Sequence, residues 1–422
     1  MDAKLKRVFW AWHFWAGLIA TPVLIVISIT GGLYIFKSEL ELWWYHDIAA
    51  APFELESLRL NDAAEKVRRT LRDGDRITSI ELHPHGTRAP ALVAVEDGAE
   101  HGIRRFFINP QDQTILGEIP KPNFFTFVLD LHRTLTVGIP GRILVELTTG
   151  WVMAVMLLGL AIWWPRNWRK LHGVLIPRLR RSQYVSLRDL HAIVGAAFTP
   201  LLMSIAATGL LYTLVWGGIV RTTGFYTGQF DILVAPPQSQ SDPSAPGLSI
   251  DEILGFVCDM NLAADRISIN LPQTESDAIA VTMGGSWGPS VFRAVHFDRA
   301  TGKVVSDLSL GQLPPMAIYT QWNYPLHVGS VMGLTTKWIW LLASLVMALL
   351  PILGVAMWLT RRRPGRSGFP KRGDAIRPRW LALILIVVGL TLPTVGLSML
   401  MVGALGWLRR LRRQDPSIAS IQ

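Results

Sequence analysis

Long apolar runs separated by polar segments dominate this sequence. A helix needs roughly 20 predominantly apolar residues to cross the hydrocarbon core of a bilayer. Four runs reach that length and a further apolar stretch follows them: 14–36, 142–164, 191–216, 336–359 and 380–407. The pattern predicts a polytopic α-helical membrane protein with four spans and one or more C-terminal membrane segments.

The first run has two interpretations, because it follows only the short charged start MDAKLKR. A cleaved secretory signal would have a shorter apolar core followed by small residues at a cleavage site. This core is longer and no such site follows it, so we expect an uncleaved anchor.

The two long polar regions, 37–125 and 217–325, show a different pattern. In each, a short amphipathic helix, a turn and an alternating strand are followed by two strands joined by a turn rich in Asn, Asp and Gly. The segments that carry this pattern are LNDAAEKVRRTLRDGDRITSIELH with RRFFINPQDQTILGEI, and IDEILGFVCDMNLAADRISINLP with FRAVHFDRATGKVVSDL. We therefore expect two small α+β domains.

The chain also repeats itself. Residues 12–34 align with 190–212 without a gap, which places His13 on His191 and Gly17 on Gly195. A second ungapped match aligns 131–142 with 326–337, and there His132 falls on His327 and Arg142 on Lys337. The sequence predicts an internally duplicated four-helix core, whose parallel copies are related by an approximate two-fold axis along the membrane normal.

Charge predicts the orientation of the spans. The loop after the second span carries seven Lys or Arg before Asp189 and no acid, and the loop after the fourth span is similar. By the positive-inside rule these loops and the N-terminus face the cytoplasm, and the two polar domains lie outside. The net charge of +10 is thus mainly a topology signal. Nucleic-acid binding would require a basic face on a folded domain, and none is evident.

The stretch at 380–407 fits neither simple topology. As a single span it would carry the basic RRLRR sequence outside, against the charge rule. As a hairpin through LTLPT, each arm is short for a crossing. We expect a kinked or re-entrant pair with the tail inside.

These patterns divide the chain into nine segments. They are the first span 1–36, the first outer domain 37–125, an outer histidine segment with the second span 126–164, a basic loop 165–189, the third span 190–216, the second outer domain 217–325, an outer histidine segment with the fourth span 326–360, a basic loop 361–379, and the C-terminal membrane segment or segments with a basic tail 380–422.

A single cysteine, Cys258, limits the chemistry. It excludes internal disulfides, Cys-ligated zinc, iron–sulfur clusters and covalent C-x-x-C-H haem attachment. Any haem must therefore be non-covalent.

Four of the ten histidines are duplicated by the repeat: His13, His191, His132 and His327. A two-fold axis places the first two at one depth near the cytoplasmic side and the other two at one depth near the outer side. Two rings facing each other across an axis suit bis-histidine ligation of haem iron. Ionisable groups inside a membrane also indicate a function by default.

The neighbouring residues have alternative interpretations. Gly17 and Gly195, one turn after their histidines, would make room for a flat macrocycle, although small residues also serve close helix packing in membranes. His132 and His327 could instead be interfacial histidines bonded to backbone.

Three cations and three aromatic residues near the outer histidines are further candidates. Arg133, Arg142 and Lys337 could neutralise haem propionates, or could be ordinary interfacial cations. Tyr319, Trp322 and Tyr324 lie beside His327 in the sequence and could touch an outer substrate.

The paired H-x-x-x-G spans, the LHRTL…GIPGR and PLHVG…GL segments, the WWPR exit and the inserted outer domains resemble the PepSY-associated transmembrane helix family over about 5–365. Members of this kind include PiuB-like iron-regulated proteins and FoxB-type ferric-siderophore reductases of the bacterial inner membrane. The resemblance implies two PepSY-like periplasmic domains and two haem b groups on His13, His132, His191 and His327. One turn, NPQDQTIL, lacks the Gly usual in the family's hairpin.

The resulting hypothesis is a dihaem electron-transfer protein, and thus an oxidoreductase, that reduces an iron(III) chelate, such as a ferric siderophore, at the periplasmic face for iron uptake. No nucleotide-binding motif is evident, so the electron donor would be separate, either a membrane quinol or a cytoplasmic reductase. The alternatives are a non-redox iron-chelate permease, and a regulatory or partner subunit whose outer domains bind peptides.

Overall fold

The structure is a computed structural model. It describes residues 2–44, 58–83, 91–97, 103–109, 112–119, 123–165, 167, 169, 171–231, 237–242, 244–260, 264–285, 288–362, 367–370 and 379–414. Most of the predicted basic loop 361–379, the end of the basic tail, and His46, His85 and His101 lie outside the described residues.

Four of the described helices are long and apolar enough to cross a membrane: α1 (Ala3–Ile35), α5 (Ile139–Trp163), α6 (Gln183–Gly209) and α10 (Leu334–Arg361). They fit the predicted polytopic helical membrane protein. α1 begins 11 residues before the predicted span at 14 and α6 begins eight residues before the one at 191, because polar residues continue both helices beyond their apolar runs. Hydropathy marks the lipid-compatible part of a helix rather than its ends.

One apolar core joins these four helices within a single compact unit. Ala20 and Leu24 of α1 pack with Val152 of α5, Leu202 of α6 and Met347 of α10. Each helix thus contributes side chains to the centre of a four-helix bundle.

The remaining described helices are shorter. They are α2 (Lys37–Trp44), α3 (Leu60–Arg68), α4 (Phe124–Thr134), α7 (Val215–Tyr226), α8 (Ile250–Asp259), α9 (Pro315–Val328), α11 (Arg379–Thr391) and α12 (Pro393–Gln414), with 3-10 turns at Leu210–Tyr212 and Leu310–Gln312.

The strands of both polar regions form one antiparallel sheet. Its strands are β1 (Arg76–Leu82), β2 (Ala91–Glu96), β3 (Ile103–Ile108), β4 (Ile115–Glu118), β5 (Arg266–Asn270), β6 (Ile279–Gly285), β7 (Gly288–Phe297) and β8 (Val304–Ser309), in the order β4-β3-β2-β1-β5-β6-β7-β8. The sequence predicts two domains here, whereas the structure joins the two regions in one sheet because β1 pairs with β5.

The seam between β1 and β5 is symmetric in register. Ile80 lies opposite Ile269, and each residue belongs to the corresponding strand of its own region. The first region reads RITSIEL at 76–82 where the second reads RISINL at 266–271, so β1 has one additional residue. A bulge between Ile77 and Ser79 accommodates it. Helices α3 and α8 cover one face of the sheet and enclose the larger of the apolar cores.

The N-termini of α3 and α8 cap each other. Asp251 of α8 accepts hydrogen bonds from the N–H groups of Leu60 (2.5 Å) and Asn61 (3.1 Å). In return the Asn61 Oδ1 accepts from the N–H of Ile250 at 2.8 Å. Each helix thus provides the N-cap acceptor for the other. Usually the residue just before a helix caps its own N–H groups.

Glu146 is the one acidic residue in the second apolar run. Its side chain is almost fully buried in α5, and it accepts hydrogen bonds from the N–H groups of Val215 (2.8 Å) and Trp216 (3.0 Å) at the start of α7. An anion at a helix N-terminus offsets both the free N–H groups and the helix dipole, so Glu146 stabilises the turn that begins α7.

The C-terminal stretch forms two helices, α11 and α12, with the break at Leu392. They pack closely where Gly389 meets Gly396. α12 also packs on α5, since Val395 lies against Gly150 and the Trp151 Nε1 donates to the Ser398 hydroxyl at 3.0 Å. The prediction that the tail lies inside stays a prediction.

Candidate functional site

A cavity of ≈580 Å³ lies within the four-helix bundle. Cofactor pockets in proteins span roughly 300–1,000 Å³, so this cavity is large enough for a sizeable planar group. Residues of α1, α5, α6 and α10 line it, among them His13 and His191. The structure therefore brings together the first of the two histidine pairs that the repeat predicts.

The two rings face each other closely. Their centres are 6.0 Å apart and their planes are inclined by 87°. A metal–imidazole bond is about 2.0 Å long and the nitrogen lies about 1.1 Å from the ring centre, so two rings on one metal would have centres about 6 Å apart. The separation of His13 and His191 matches this distance.

Hydrogen bonds define the tautomers of both histidines. The Nδ1 of His13 lies 2.9 Å from the carbonyl oxygen of Val155, and the Nδ1 of His191 lies 2.9 Å from that of Leu350. A carbonyl can only accept, so each Nδ1 carries the proton. The Nε2 of each ring then keeps a free lone pair, the arrangement that metal-ligating histidines show in proteins.

Small residues make room beside the rings. The predicted Gly17 and Gly195 both line the cavity, as do Gly159 and Gly354. A Cβ at Gly159 would lie 2.9 Å from the His13 Cε1, closer than such atoms approach. Gly159 and Gly354 were not predicted as site residues, although the repeat places them in equivalent positions of the span exits GLAIWW and GVAMW.

The residues suit a haem better than a bare metal ion. Protein sites for single transition metals use three or four protein ligands, but among the described residues no group of three or more His, Cys, Asp or Glu could hold a metal. A haem supplies four nitrogen ligands of its own and needs only axial partners. Two opposed imidazoles beside a large apolar cavity therefore fit this group.

Part of the cavity lining is polar. Lys6, Tyr184 and Arg188 line it together with the buried Asp189. Arg178 and Arg188 bind the Asp189 carboxylate at 2.7 and 2.6 Å. Tyr184, Arg188 and Asp189 were not predicted as site residues, because the sequence places them in the basic loop 165–189, whereas α6 begins at Gln183 and includes them.

His132 lies at the end of α4 and contacts α1. Its Nδ1 is 2.9 Å from the carbonyl oxygen of Ile27 and 3.2 Å from the Thr30 hydroxyl. A Cβ at Gly31 would lie 3.0 Å from its Cε1. His132 thus has the same protonated Nδ1 as the first two histidines.

His327 lies in the last turn of α9, which ends at Gly329 in the left-handed conformation (φ 70°). The pairing of His132 with His327 stays a prediction.

The predicted cations lie in three different settings. Arg133 is exposed, and the Arg142 Nη2 donates to the carbonyl oxygen of Tyr212 at 3.4 Å. The Lys337 Nζ is paired with the Glu39 carboxylate at 2.6 Å. Arg142 and Lys337 therefore already have protein partners.

The predicted substrate residues share one helix, α9, but not one surface. Tyr319 and Tyr324 are exposed, whereas the Trp322 ring is half-buried and lies near Gly288. The Tyr319 hydroxyl accepts a hydrogen bond from the buried Asn323 side chain at 3.2 Å.

Comparison with known proteins shows which family and which relative this chain resembles. The family model described as "PepSY-associated TM region" matches residues 10–361. An uncharacterised protein of Pseudomonas aeruginosa, PA4219, is similar to this chain, with 27% identity over 252 residues that cover 56% of this chain. The match spans 63% of the length of that relative.

Proposed function

We propose, from the premise that this chain belongs to the PepSY-associated TM region family, that it is a dihaem b electron-transfer protein of the bacterial inner membrane. Its function would be to reduce iron(III), in a siderophore or another chelate, at the periplasmic face for iron uptake. The four predicted ligands are His13, His191, His132 and His327.

The opposed pair of His13 and His191 carries this proposal. The ring centres are 6.0 Å apart beside a cavity of ≈580 Å³, and both Nδ1 protons are bound to backbone carbonyls. Two half-buried imidazoles with free Nε2 atoms are costly inside a membrane unless they bind something. The residues hold the rings in the protonation state that an axial ligand requires.

The electron balance requires a separate donor. When bound, the haems would supply one-electron iron chemistry between a donor at the cytoplasmic side and an iron(III) chelate at the periplasmic side. Each iron(III) takes up one electron and becomes iron(II), which hard oxygen ligands bind less well. A two-electron donor, either a membrane quinol or a cytoplasmic reductase, would serve two chelates, and a quinol would release its protons on oxidation.

The first test is a visible spectrum of the purified protein expressed with haem supplied. We expect a Soret band, and a sharp α-band on reduction with dithionite. His13→Ala and His191→Ala should each remove one of two haems, because either change leaves iron without one axial ligand. The pyridine haemochrome assay measures haem per chain.

His172→Ala is the matched control, since His172 is exposed and lies outside the four-histidine set. It should keep both haems. A folded, monodisperse and colourless wild-type protein would reject the proposal in favour of a permease or a partner subunit. Equal haem content in His13→Ala and the wild type would reject the assigned ligands.

A further inference from the structure

Three of the four predicted ligands contact a neighbouring helix in the same way. Each Nδ1 lies 2.9 Å from a backbone carbonyl: His13 from Val155, His191 from Leu350 and His132 from Ile27. Four residues after each carbonyl the helix carries a glycine, namely Gly159, Gly354 and Gly31. We call this arrangement the carbonyl–glycine seat.

The geometry of a helix explains why glycine is needed there. The carbonyl of residue i accepts from the N–H of residue i+4, but its oxygen has a second lone pair. A side chain at i+4 would stand between that lone pair and a ring from another helix. Glycine has none, so the ring can reach the carbonyl.

The three seats differ in tightness. An added Cβ would lie 2.9 Å from the Cε1 of His13 at Gly159 and 3.0 Å from the Cε1 of His132 at Gly31. At Gly354 the corresponding distance to the Cε1 of His191 is 3.7 Å, an ordinary contact. Alanine should therefore displace the His13 ring and leave the His191 ring in place.

We propose that Gly159, with the Val155 carbonyl, is a positioning residue that sets the ring plane of His13 nearly perpendicular to that of His191. The two planes are inclined by 87°, and each ring is held by a carbonyl on a different helix, α5 for His13 and α10 for His191. This inference rests on the proposed function, because it concerns how the two rings are presented to iron.

The ring planes have a spectroscopic consequence. Perpendicular axial imidazoles leave the iron d orbitals nearly degenerate, so ferric low-spin haem gives a strongly anisotropic EPR signal with one very large g value. Parallel imidazoles give an ordinary rhombic signal. Axial-ligand hydrogen bonding also tunes the reduction potential of the haem.

The test is low-temperature EPR of the full-length oxidised protein in detergent, with a redox titration of the same samples. We expect a large-g signal that His191→Ala removes, which assigns it to this pair. Gly159→Ala should replace that signal by a rhombic one, shift the potential, and weaken haem retention by about 10-fold or more. Gly354→Ala should keep the large-g signal.

Gly403→Ala is the matched control, because Gly403 lies in helix α12 with no atom within 4 Å of its added Cβ. It should leave the spectrum and both haems unchanged. If Gly159→Ala does not fold, the wild-type spectrum alone tests whether the two ring planes are perpendicular. A rhombic wild-type signal that depends on His191 would overturn the inference and leave the proposed function intact. A large-g signal that survives in folded Gly159→Ala would do the same, whereas a protein without haem would overturn the proposed function itself.

Discussion

Asp298 shows how much one buried side chain can organise. Only 2% of it is exposed, and its carboxylate accepts hydrogen bonds from the Ser239 hydroxyl, the Gln240 and Ser241 N–H groups, and the Thr301 N–H and hydroxyl. Burial alone would raise its pKa, but the hydrogen bonds from Ser241, Thr301 and Ser239 outweigh it and hold the pKa well below the usual range. The carboxylate thus fixes the β7–β8 turn to the segment before α8.

This depressed pKa predicts a pH dependence. An Asp side chain in the unfolded protein has a pKa of about 3.9. The contribution of Asp298 to the free energy of unfolding is therefore complete above that pH, and it is lost as the pH falls towards the pKa in the folded protein. Asp298→Asn should destabilise the protein by about 2 kcal/mol at pH 7, and the difference from wild type should shrink below about pH 4. Thermal unfolding in detergent across this range measures it.

Asp242→Asn is the control, since Asp242 is an exposed carboxylate that accepts hydrogen bonds from the N–H and hydroxyl of Ser244. It should have a clearly smaller effect. A constant difference between Asp298→Asn and wild type from pH 7 to pH 3 would contradict the assigned ionisation.

The sequence predicts which histidines pair, but it does not predict the residues that hold their rings in place. The ungapped repeat pairs His13 with His191 in advance, because a two-fold axis places equivalent residues opposite each other. It does not predict that the Val155 carbonyl and Gly159 hold His13. These residues lie 142 and 146 positions after His13 in the sequence and come next to it only through helix packing. The repeated glycine of the two span exits was the available signal.

Among the helices, α7 depends on a residue from another element. The Glu146 carboxylate accepts from the N–H groups of Val215 and Trp216, and it is 1% exposed. Glu146→Ala should cost about 3 kcal/mol, because two partly buried N–H donors lose a charged partner. Glu146→Gln should cost about 1 kcal/mol, since its one carbonyl oxygen still accepts. Thermal unfolding followed by circular dichroism measures both.

Glu41→Gln is the comparison variant, because Glu41 forms a side-chain pair with Lys37 within α2 at 3.6 Å. It should change stability by no more than about 0.5 kcal/mol. Equal effects of Glu146→Ala and Glu41→Gln would show that the cap is not needed.

Apolar run length predicts which helices exist but not where they end. The four spans follow from hydropathy, yet α6 extends back to Gln183 through a polar turn that the Asp189 ion pairs hold. The break at Leu392 was foreseeable from the LTLPT sequence, because Pro393 cannot donate to a preceding helix turn. The packing of α12 on α5 was not foreseeable, because glycine contacts leave no periodic pattern in the sequence.

For the molecule as a whole, the seam between β1 and β5 makes the sheet one structural element. We expect the amides of both strands to be among the most protected in hydrogen exchange of the sheet. Ile80→Ala, at a fully buried position of the seam, should cost about 2–5 kcal/mol. It should accelerate exchange in β6–β8 as well as in β2–β4, because the two halves share one core.

Ile103→Ala provides the control, since Ile103 lies in β3 with 47% of its surface exposed. It should have little effect beyond its own strand. Faster exchange confined to β1–β4 in Ile80→Ala would show that the two halves unfold separately.

The joining of the two outer regions was not predictable from local pattern. Each region indicates its own helix and strands, but β1 and β5 pair across nearly 190 residues of sequence. An antiparallel pairing carries a local signature only where a short turn links the two strands, and none links these.

Because β1 and β5 pair with each other, neither presents an open row of N–H and C=O groups to other chains, and among the described strands it is β4 and β8 that border the sheet. Unpaired borders of this kind recruit foreign strands and promote aggregation. A shorter polypeptide carrying only the first four strands would expose β1 as a border as well as β4, and pairing with a second identical polypeptide would cover it. Ile80 lies opposite Ile269, as equivalent residues do across the two-fold axis of an isologous homodimer. Here the two halves belong to one covalent chain.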